Sequence, residues 1–279
     1  MVSDLMTYVR TTWRLIEDPP SRGAWNMAVD EAILESVYQG ESLPTLRLFA
    51  WEPACLSLGH AQPFAEVDTL ALAHYGWDVV RRPTGGRAIL HVDELTYSVI
   101  APEYDPRVQG GVLDSYLRLS KALLEVLRLL GLEPQANEKK VEKSKKFNPV
   151  CFEVPSNYEI TVNQKKLIGS AQARRKGGIL QHGTLPLFGD LSRIISALKF
   201  VDDSAKSHAK TRLLEHATTV ELILGKRIEW QEASNAFQNA FAETLHLNFQ
   251  RDGLSQRERL RAEELVNEKY AHLEWTERI

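Results

Sequence analysis

The sequence predicts a mixed α/β (α+β) fold, a largely antiparallel sheet with helices packed on it. Three observations predict it. Short alternating apolar segments recur between residues 45 and 187, one long amphipathic helical segment interrupts them, and the pattern turns helical after Leu191. With 279 residues and 43% hydrophobic composition the chain can bury a substantial core, and no internal repeat or low-complexity linker divides it. The expectation is one catalytic domain over residues 1–279, its core at about 40–250, with a helical C-terminal part.

Residues 12–16 read as a short opening strand. Asp18-Pro19-Pro20-Ser21 follows as a turn that caps a helix over 24–38, where Met27, Ile33 and Leu34 form part of an apolar stripe. Segments 45–49 and 55–58 alternate as sheet, and Pro53 between them predicts a turn joining paired strands. Residues 67–74 have helical spacing that stops at Gly76, and 77–80 return as a strand delivering Arg81 and Arg82 into a loop. Residues 95–100 are strand-like. The strongest helix spans 113–130, with Leu117, Leu123, Leu124, Leu127 and Leu130 among its apolar positions and Gly131 as its stop. Residues 138–146 are charged and read as a solvated loop. A hairpin follows, 158–162 and 167–172 around Asn163-Gln164-Lys165-Lys166, then a strand over 179–187. Helices are clearest at 233–245 and 257–270.

Composition excludes several classes of function. A net charge of -3 and a pI near 6.3 lack the positive excess that phosphate-backbone binding requires, so nucleic acid is not an expected partner. No basic leader with an apolar h-region opens the sequence and no stretch reaches membrane-spanning length, so a soluble cytoplasmic protein without membrane partners is expected. Cys55 and Cys151 lie too far apart for a C-x-x-C metal site and form no disulfide framework, which fits a reducing compartment.

Four features could carry chemistry. Arg82-Pro83-Thr84-Gly85-Gly86-Arg87-Ala88 sets two adjacent glycines among arginines at a strand end, where main-chain N–H groups can face a phosphate or carbonyl oxygen. A plain Gly-Gly turn with solvated arginines fits those residues equally, and neither the Walker A nor the G-x-G-x-x-G spacing is present. His91 and His182 are candidates for a general base or ligand-orienting donor, or else are hydrogen-bonded half-buried histidines. A zinc site from Cys151, His91 and His182 has no ligand spacing behind it, and no metal is expected. Cys55, between apolar strand residues, reads as a small buried hydrophobe. Cys151 lies in Asn148-Pro149-Val150-Cys151-Phe152-Glu153-Val154-Pro155, a loop constrained by two prolines, where a nearby cation such as Lys166 would favour a nucleophilic thiolate. An inert loop cysteine and a solvated turn lysine remain the alternatives.

Taken in order, these pieces resemble the biotin/lipoate protein ligase superfamily, and more narrowly the octanoyl transferases of the LipM type. The resemblance rests on Arg81-Arg82-Pro83-Thr84-Gly85-Gly86-Arg87-Ala88-Ile89-Leu90-His91 continued by Glu94-Leu95-Thr96-Tyr97. It continues in Cys151-Phe152-Glu153-Val154-Pro155-Ser156-Asn157, Lys166-Leu167-Ile168-Gly169-Ser170-Ala171-Gln172 and Leu180-Gln181-His182-Gly183, and more weakly in Lys269-Tyr270 with Glu274-Trp275. It implies a fold like the catalytic domain of biotin protein ligases, with the loop 82–91 beside the acyl chain. It implies Cys151 as acyl-thioester nucleophile and Lys166 as the group that lowers its pKa. Arg82, Thr84, Gly85, Gly86, His91, Gly169, Ser170, Ala171 and His182 are then the substrate-binding residues, with oxyanion donors available from the Gly169-Ser170-Ala171 main chain or Lys166.

The implied reaction moves octanoate from the phosphopantetheine thioester of acyl carrier protein to a lysine of a lipoyl-domain acceptor such as the glycine-cleavage H protein. No resident cofactor is implied, because phosphopantetheine arrives on the donor. The resemblance leaves three competing readings: an ATP-dependent lipoate protein ligase, an amidotransferase between protein lysines, and a non-catalytic binder of acylated domains.

Overall fold

The computed structural model describes residues 8–137 and 159–279. Strand β1 (Thr11–Glu17) leads into helix α1 (Gly23–Tyr38). The expected cap at Ser21 is not made: Arg22 holds the cap position without a side-chain bond, and the Ser21 hydroxyl donates to the Pro19 carbonyl. The helix start is fixed instead by the Asn26 amide, which donates to the carbonyls of Ser21 and Ala50.

Helix α1 is buried on most of its circumference because it lies between two sheets and a C-terminal helix. Met27, Ile33 and Leu34 pack with Cys55 and Val80 of the smaller sheet, Ile100 and Leu180 of the larger, and Ala262 and Leu265. Each fully buried side chain of this size contributes roughly 1.5–3 kcal/mol.

The elements that follow are β2 (Thr45–Phe49), β3 (Cys55–Leu58), α2 (Thr69–Tyr75), β4 (Asp78–Arg81), β5 (Ile89–His91) and β6 (Glu94–Pro102). Next come α3 (Val112–Leu129), β7 (Gln135–Asn137), β8 (Glu159–Val162), β9 (Lys165–Arg175) and β10 (Gly178–Pro186). The described chain finishes with α4 (Asp203–His216), α5 (Val220–Leu224), α6 (Trp230–Thr244), β11 (Leu247–Arg251), α7 (Gln256–Leu265) and α8 (Leu273–Thr276).

The larger sheet runs β11-β1-β2-β6-β10-β9-β8-β7 and is antiparallel except where β1 pairs in parallel with β11 and β2. The smaller sheet runs β4-β3-β5. Two expectations are corrected here. Segments 45–49 and 55–58 are not paired; β2 joins β1 and β6, while β3 joins β4 and β5. The buried Trp51 fills the passage between the two sheets and lets the chain cross from one to the other. The C-terminal part also contains a strand, β11, whose mostly exposed edge position leaves almost no alternation to read.

One face of the larger sheet is covered by α3 and α6, with Leu119, Ala122, Leu123, Val126 and Leu127 against Phe237 and Phe241. Leu117, expected in this stripe, is 38% exposed. The opposite face carries α1 and the smaller sheet.

The turn of the β8–β9 hairpin is Asn163-Gln164, both with positive φ, the geometry that matches the twist of a two-residue hairpin. Lys165 and Lys166 are therefore strand residues, not turn residues. Thr161 pairs Lys166 but Ile160 pairs Ile168, so Leu167 is an extra residue in the ladder, a β-bulge. Ile160, Val162, Leu167 and Ile168 all bury under α3 and α6. Paired residues share a face, so Thr161 and Lys166 point the other way, toward the side that carries α1.

Candidate active site

Strand β4 ends in two arginines that diverge. Arg81, fully buried, donates to the carbonyls of Gly59 (2.9 Å), His60 (3.3 Å), Gln62 (2.6 Å) and, through two nitrogens, Thr276 (2.7 and 3.0 Å). It thereby ties the C-terminal helix α8 to the 59–62 turn. Arg82 donates to the Ser57 carbonyl and hydroxyl and to the carbonyls of Gly85 and Arg87, strapping its own loop. Gly86, at φ +97, occupies a conformation that favours glycine, and a methyl group on Gly59 would land on the Gly86 carbonyl oxygen. The His60 amide donates to the Thr84 carbonyl at 2.8 Å, so the 59–62 turn supports the glycine loop directly.

Two histidines sit behind this loop, each with both ring nitrogens engaged. Ser57 accepts from Arg82 and turns its own proton to His91 Nε2 (2.6 Å), which leaves Nδ1 to donate to Glu94 (2.5 Å). Trp51 stacks on the His91 ring at 4.0 Å and donates to Thr96, which donates onward to Glu94. Burial alone would raise the Glu94 carboxyl. The adjoining His91 and the hydrogen bonds from His91 and Thr96 outweigh burial and hold it below the ordinary range.

His182 Nε2 meets the Thr84 hydroxyl at 2.7 Å, and its Nδ1 faces Asp30 at 3.5 Å. Asp30 accepts also from Arg47 (2.9 Å) and Ser98 (2.7 Å). Burial lowers the His182 pKa more than Asp30 raises it, so the ring is held neutral. With all four nitrogens occupied, neither imidazole is placed to ligate a metal. No group of three or more potential metal ligands occurs among the described residues.

These groups surround a narrow apolar pocket with a free volume of about 40 Å³. Of the residues expected at the site, Arg82, Gly85, Gly86, His91, Gly169, Ser170, Ala171 and His182 line it. Thr84 does not; it is buried and holds His182. Gly169 and Ala171 pair with Thr184 and His182 and share the face of α1. The Ser170 side chain instead meets the Tyr97 hydroxyl at 2.7 Å. Burial raises that Tyr97 phenol to about 12.

Lys166 lies outside the lining, buried on the same face as Gly169, about 10 Å back along the strand at roughly 3.3 Å per residue. Its carbonyl accepts from the Thr218 amide. Cys55 is buried, its thiol pushed well above the ordinary range by burial and then by Asp78 and Glu94, as expected of an inert hydrophobe. Cys151 and the charged run 138–146 lie outside the described residues.

Residues 22–242 match the family described as the lipoyl protein ligase A/B catalytic domain. Octanoyltransferase LipM of Carboxydothermus hydrogenoformans is 40% identical over 95% of this chain and 98% of its own length, and that of Moorella thermoacetica is 40% identical over 96% and 98%. The chain belongs to this family, and within it to the LipM-type octanoyltransferases. Among solved structures, a bipartite lipoate protein ligase of Thermoplasma acidophilum superposes with a TM-score of 0.79 at 27% identity, covering 96% of each chain. A lipoate-protein ligase A bound with ATP gives 0.78 at 27% identity, covering 95% of this chain and 98% of its own. The lipoate-ligase fold expected from the sequence is thus the fold observed. No helix among the described residues is long and apolar enough to cross a membrane.

In this LipM-type chain, sequence reasoning did not place Met27, Trp51, Ile89, Thr96, Gly183 and Thr184 in the pocket wall. Trp51, two residues before the turn-marking Pro53, could not be placed there, since its stacking on His91 depends on a crossing between sheets. Gly183 follows His182 in the recognised motif, and a methyl there would press on the Gly169 carbonyl and the Tyr97 ring.

Proposed function

We propose that this chain carries octanoate from an acyl carrier protein thioester, through Cys151, to a lysine of a lipoyl-domain acceptor, the glycine-cleavage H protein type in particular. The Cys151 thiolate attacks the thioester carbonyl, the donor's C–S bond breaks, and the departing pantetheine thiolate takes a proton. The neutral acceptor amine then attacks the Cys151 thioester, its nitrogen gives up one proton to solvent, the C–S bond breaks, and an amide forms as the cysteine leaves as thiolate. Both steps start from an activated acyl group, so no nucleotide and no resident cofactor are required.

The observation that carries this reading is the character of the pocket. Its wall holds glycines and apolar groups, and Trp51, Arg82, His91, Thr96, Ser170 and His182 are already hydrogen-bonded to protein. Such a wall holds an acyl chain and leaves the nucleophile to another segment. Lys166, on the pocket side of β9, is the cation proposed to lower the Cys151 pKa from about 8.5.

The test is intact mass measurement on purified chain, octanoyl-carrier protein and unlipoylated acceptor without ATP. Enzyme with donor alone is expected to gain one hydroxylamine-labile octanoyl group. Cys151→Ala should lose adduct and transfer, Cys55→Ala keep both, and Lys166→Ala slow adduct formation with partial recovery at higher pH. Transfer at an undiminished rate after loss of Cys151 would overturn the covalent route. An absolute requirement for ATP with free lipoate would move the chain to the ligases.

A further inference from the structure

The apolar pocket opens on a second cleft, and Gly85 and Gly86 line both. Beyond the two glycines the cleft walls include His60, Arg87, Arg174 and Arg175, and among the described residues no carboxylate lines it. Arg174 is held but not neutralised. Its Nε donates to Gln172 (2.9 Å) and its Nη2 to the carbonyls of Val108 (3.0 Å) and Gly111 (3.1 Å) and the Ser115 hydroxyl (3.0 Å), all uncharged acceptors. The other terminal nitrogen, Nη1, makes no hydrogen bond to the described residues, so the fork is oriented with donors to spare.

More positive charge stands behind this wall. Arg81 binds only carbonyls, and Arg278 lies over the Trp275 ring while donating to the His60 carbonyl. The acid facing this group is Glu31, which pairs with Lys269, bonds Tyr270 and lies 3.8 Å from Arg175. It offsets part of the charge of Lys269 and Arg175, while Arg174 and Arg81 pair with no carboxylate among the described residues. His60 registers the excess: burial first, then Arg278, Arg175, Arg81 and Lys269, hold it below the ordinary histidine range.

We propose that this cleft binds the phosphate of a phosphopantetheine thioester donor, with the acyl end in the apolar pocket and the arm passing over Gly85 and Gly86. The proposal rests on the thioester-donor reading above and adds the place where the donor's anionic end is recognised. An acyl chain seated in the pocket must leave its pantetheine arm at the pocket's mouth, and two glycines without side chains form part of that mouth. The far end of the arm is a phosphate ester, and an oriented guanidinium such as that of Arg174, whose described partners are all uncharged, is the kind of side chain best suited to it. The phosphate comes either from the diester on a carrier protein or from coenzyme A.

The experiment measures binding, independently of turnover. Octanamide analogues of pantetheine, 4′-phosphopantetheine and coenzyme A, each with the thioester sulfur replaced by NH, are titrated calorimetrically into the full chain. Wild type is expected to bind the phosphopantetheine analogue at least tenfold more tightly than the pantetheine analogue, with a ratio that shrinks as salt rises. In Arg174→Gln/Arg175→Gln the ratio should approach one while the affinity for the pantetheine analogue stays unchanged. Arg175→Gln/Arg278→Gln, which spares the Arg174 bonds to α3, should show an intermediate ratio and guards against a folding defect.

A wild-type ratio of one, or a ratio unaltered in both variants, overturns the proposal. Equal affinity for the phosphopantetheine and coenzyme A analogues supports a site for the shared phosphate. Markedly tighter coenzyme A binding that the same variants abolish supports the cleft and names coenzyme A as its source. Transfer assays run alongside separate the two claims. A phosphate preference without acyl transfer retains the cleft and removes the transferase reading, and transfer without the preference does the reverse.

Discussion

Arg81→Met tests whether the C-terminal helix holds the glycine loop in place. The guanidinium makes five hydrogen bonds to four carbonyls from a fully buried position. Hydrogen bonds to a charged donor contribute about 1.5–3 kcal/mol each, but five sharing one guanidinium are not additive, and methionine retains much of the packing. A net loss of about 4 kcal/mol follows, comparable to breaking a buried ionic network. At about 2.1 cal/mol/K per residue, 279 residues give an unfolding entropy near 0.6 kcal/mol/K, so the melting temperature should fall by about 7 °C. Because the His60 amide holds the Thr84 carbonyl and Thr84 holds His182, acyl transfer at 25 °C should fall at least tenfold while the protein is still folded. Arg81→Lys, which keeps the charge but not the fork, should lie between. Circular dichroism melts and a transfer assay on the same samples decide the matter. A melt within 1 °C of wild type, or full transfer after a 7 °C drop, would refute the reasoning.

Four further substitutions probe the site. Gly59→Ala places a methyl on the Gly86 carbonyl, main chain against main chain, and should raise the donor KM about tenfold or more, roughly 1.4 kcal/mol of binding; Gly85→Ala, where a methyl meets nothing within 4 Å, should fold as wild type, and equal melting temperatures for the two would sink the argument. His182 has its folded pKa depressed below the ordinary 6.5, so its contribution to stability is complete above pH 6.5 and is lost as pH falls through the folded value. Melts from pH 8 to 5 should show that loss in wild type and less of it in His182→Gln; parallel curves would show that another group sets the slope. Trp51→Ala removes a ring that lines the pocket and should cost about 3–5 kcal/mol while shifting preference toward longer acyl chains. An unaltered ratio of octanoyl to dodecanoyl transfer at matched folding would place Trp51 outside the acyl site.

Most strands and the long helix were legible because each buries one face, and alternation or helical spacing records that burial residue by residue. β11 was not, since an edge strand with one well-buried residue leaves no pattern. The partnership of β3 was not legible either: Pro53 marks a turn, but whether the chain folds back or crosses to another sheet depends on what fills the corner, here Trp51. At the site, the loop 82–91 and the strands bearing Gly169 and His182 were recognised as a set, and eight of those residues do line one pocket. Their division of labour could not be read. That Thr84 serves His182, that His91 is locked between Ser57 and Glu94, and that Ser170 turns to Tyr97 all follow from the register of strands far apart in sequence.

The distribution of engaged polar groups also separates binding from chemistry. Using His91 as a base would mean taking its Nε2 from Ser57, and using His182 would take it from Thr84, each a buried bond whose loss leaves a polar group unsatisfied at about 1–3 kcal/mol. Both rings are therefore better suited to fixing the wall than to moving a proton. Strand β9 is arranged differently. Gly169 and Ala171 form part of the wall, and three residues before Gly169 the chain carries a lysine on the same face only because Leu167 is an extra residue in the ladder. Without the bulge, simple alternation would turn Lys166 under α3 and α6, where a buried ammonium would find the apolar cluster of Ile160, Val162 and Ile168. A bulge interrupts a ladder that an uninterrupted strand would complete, and here it turns Lys166, the lysine proposed to act on Cys151, onto the face that Gly169 and Ala171 share.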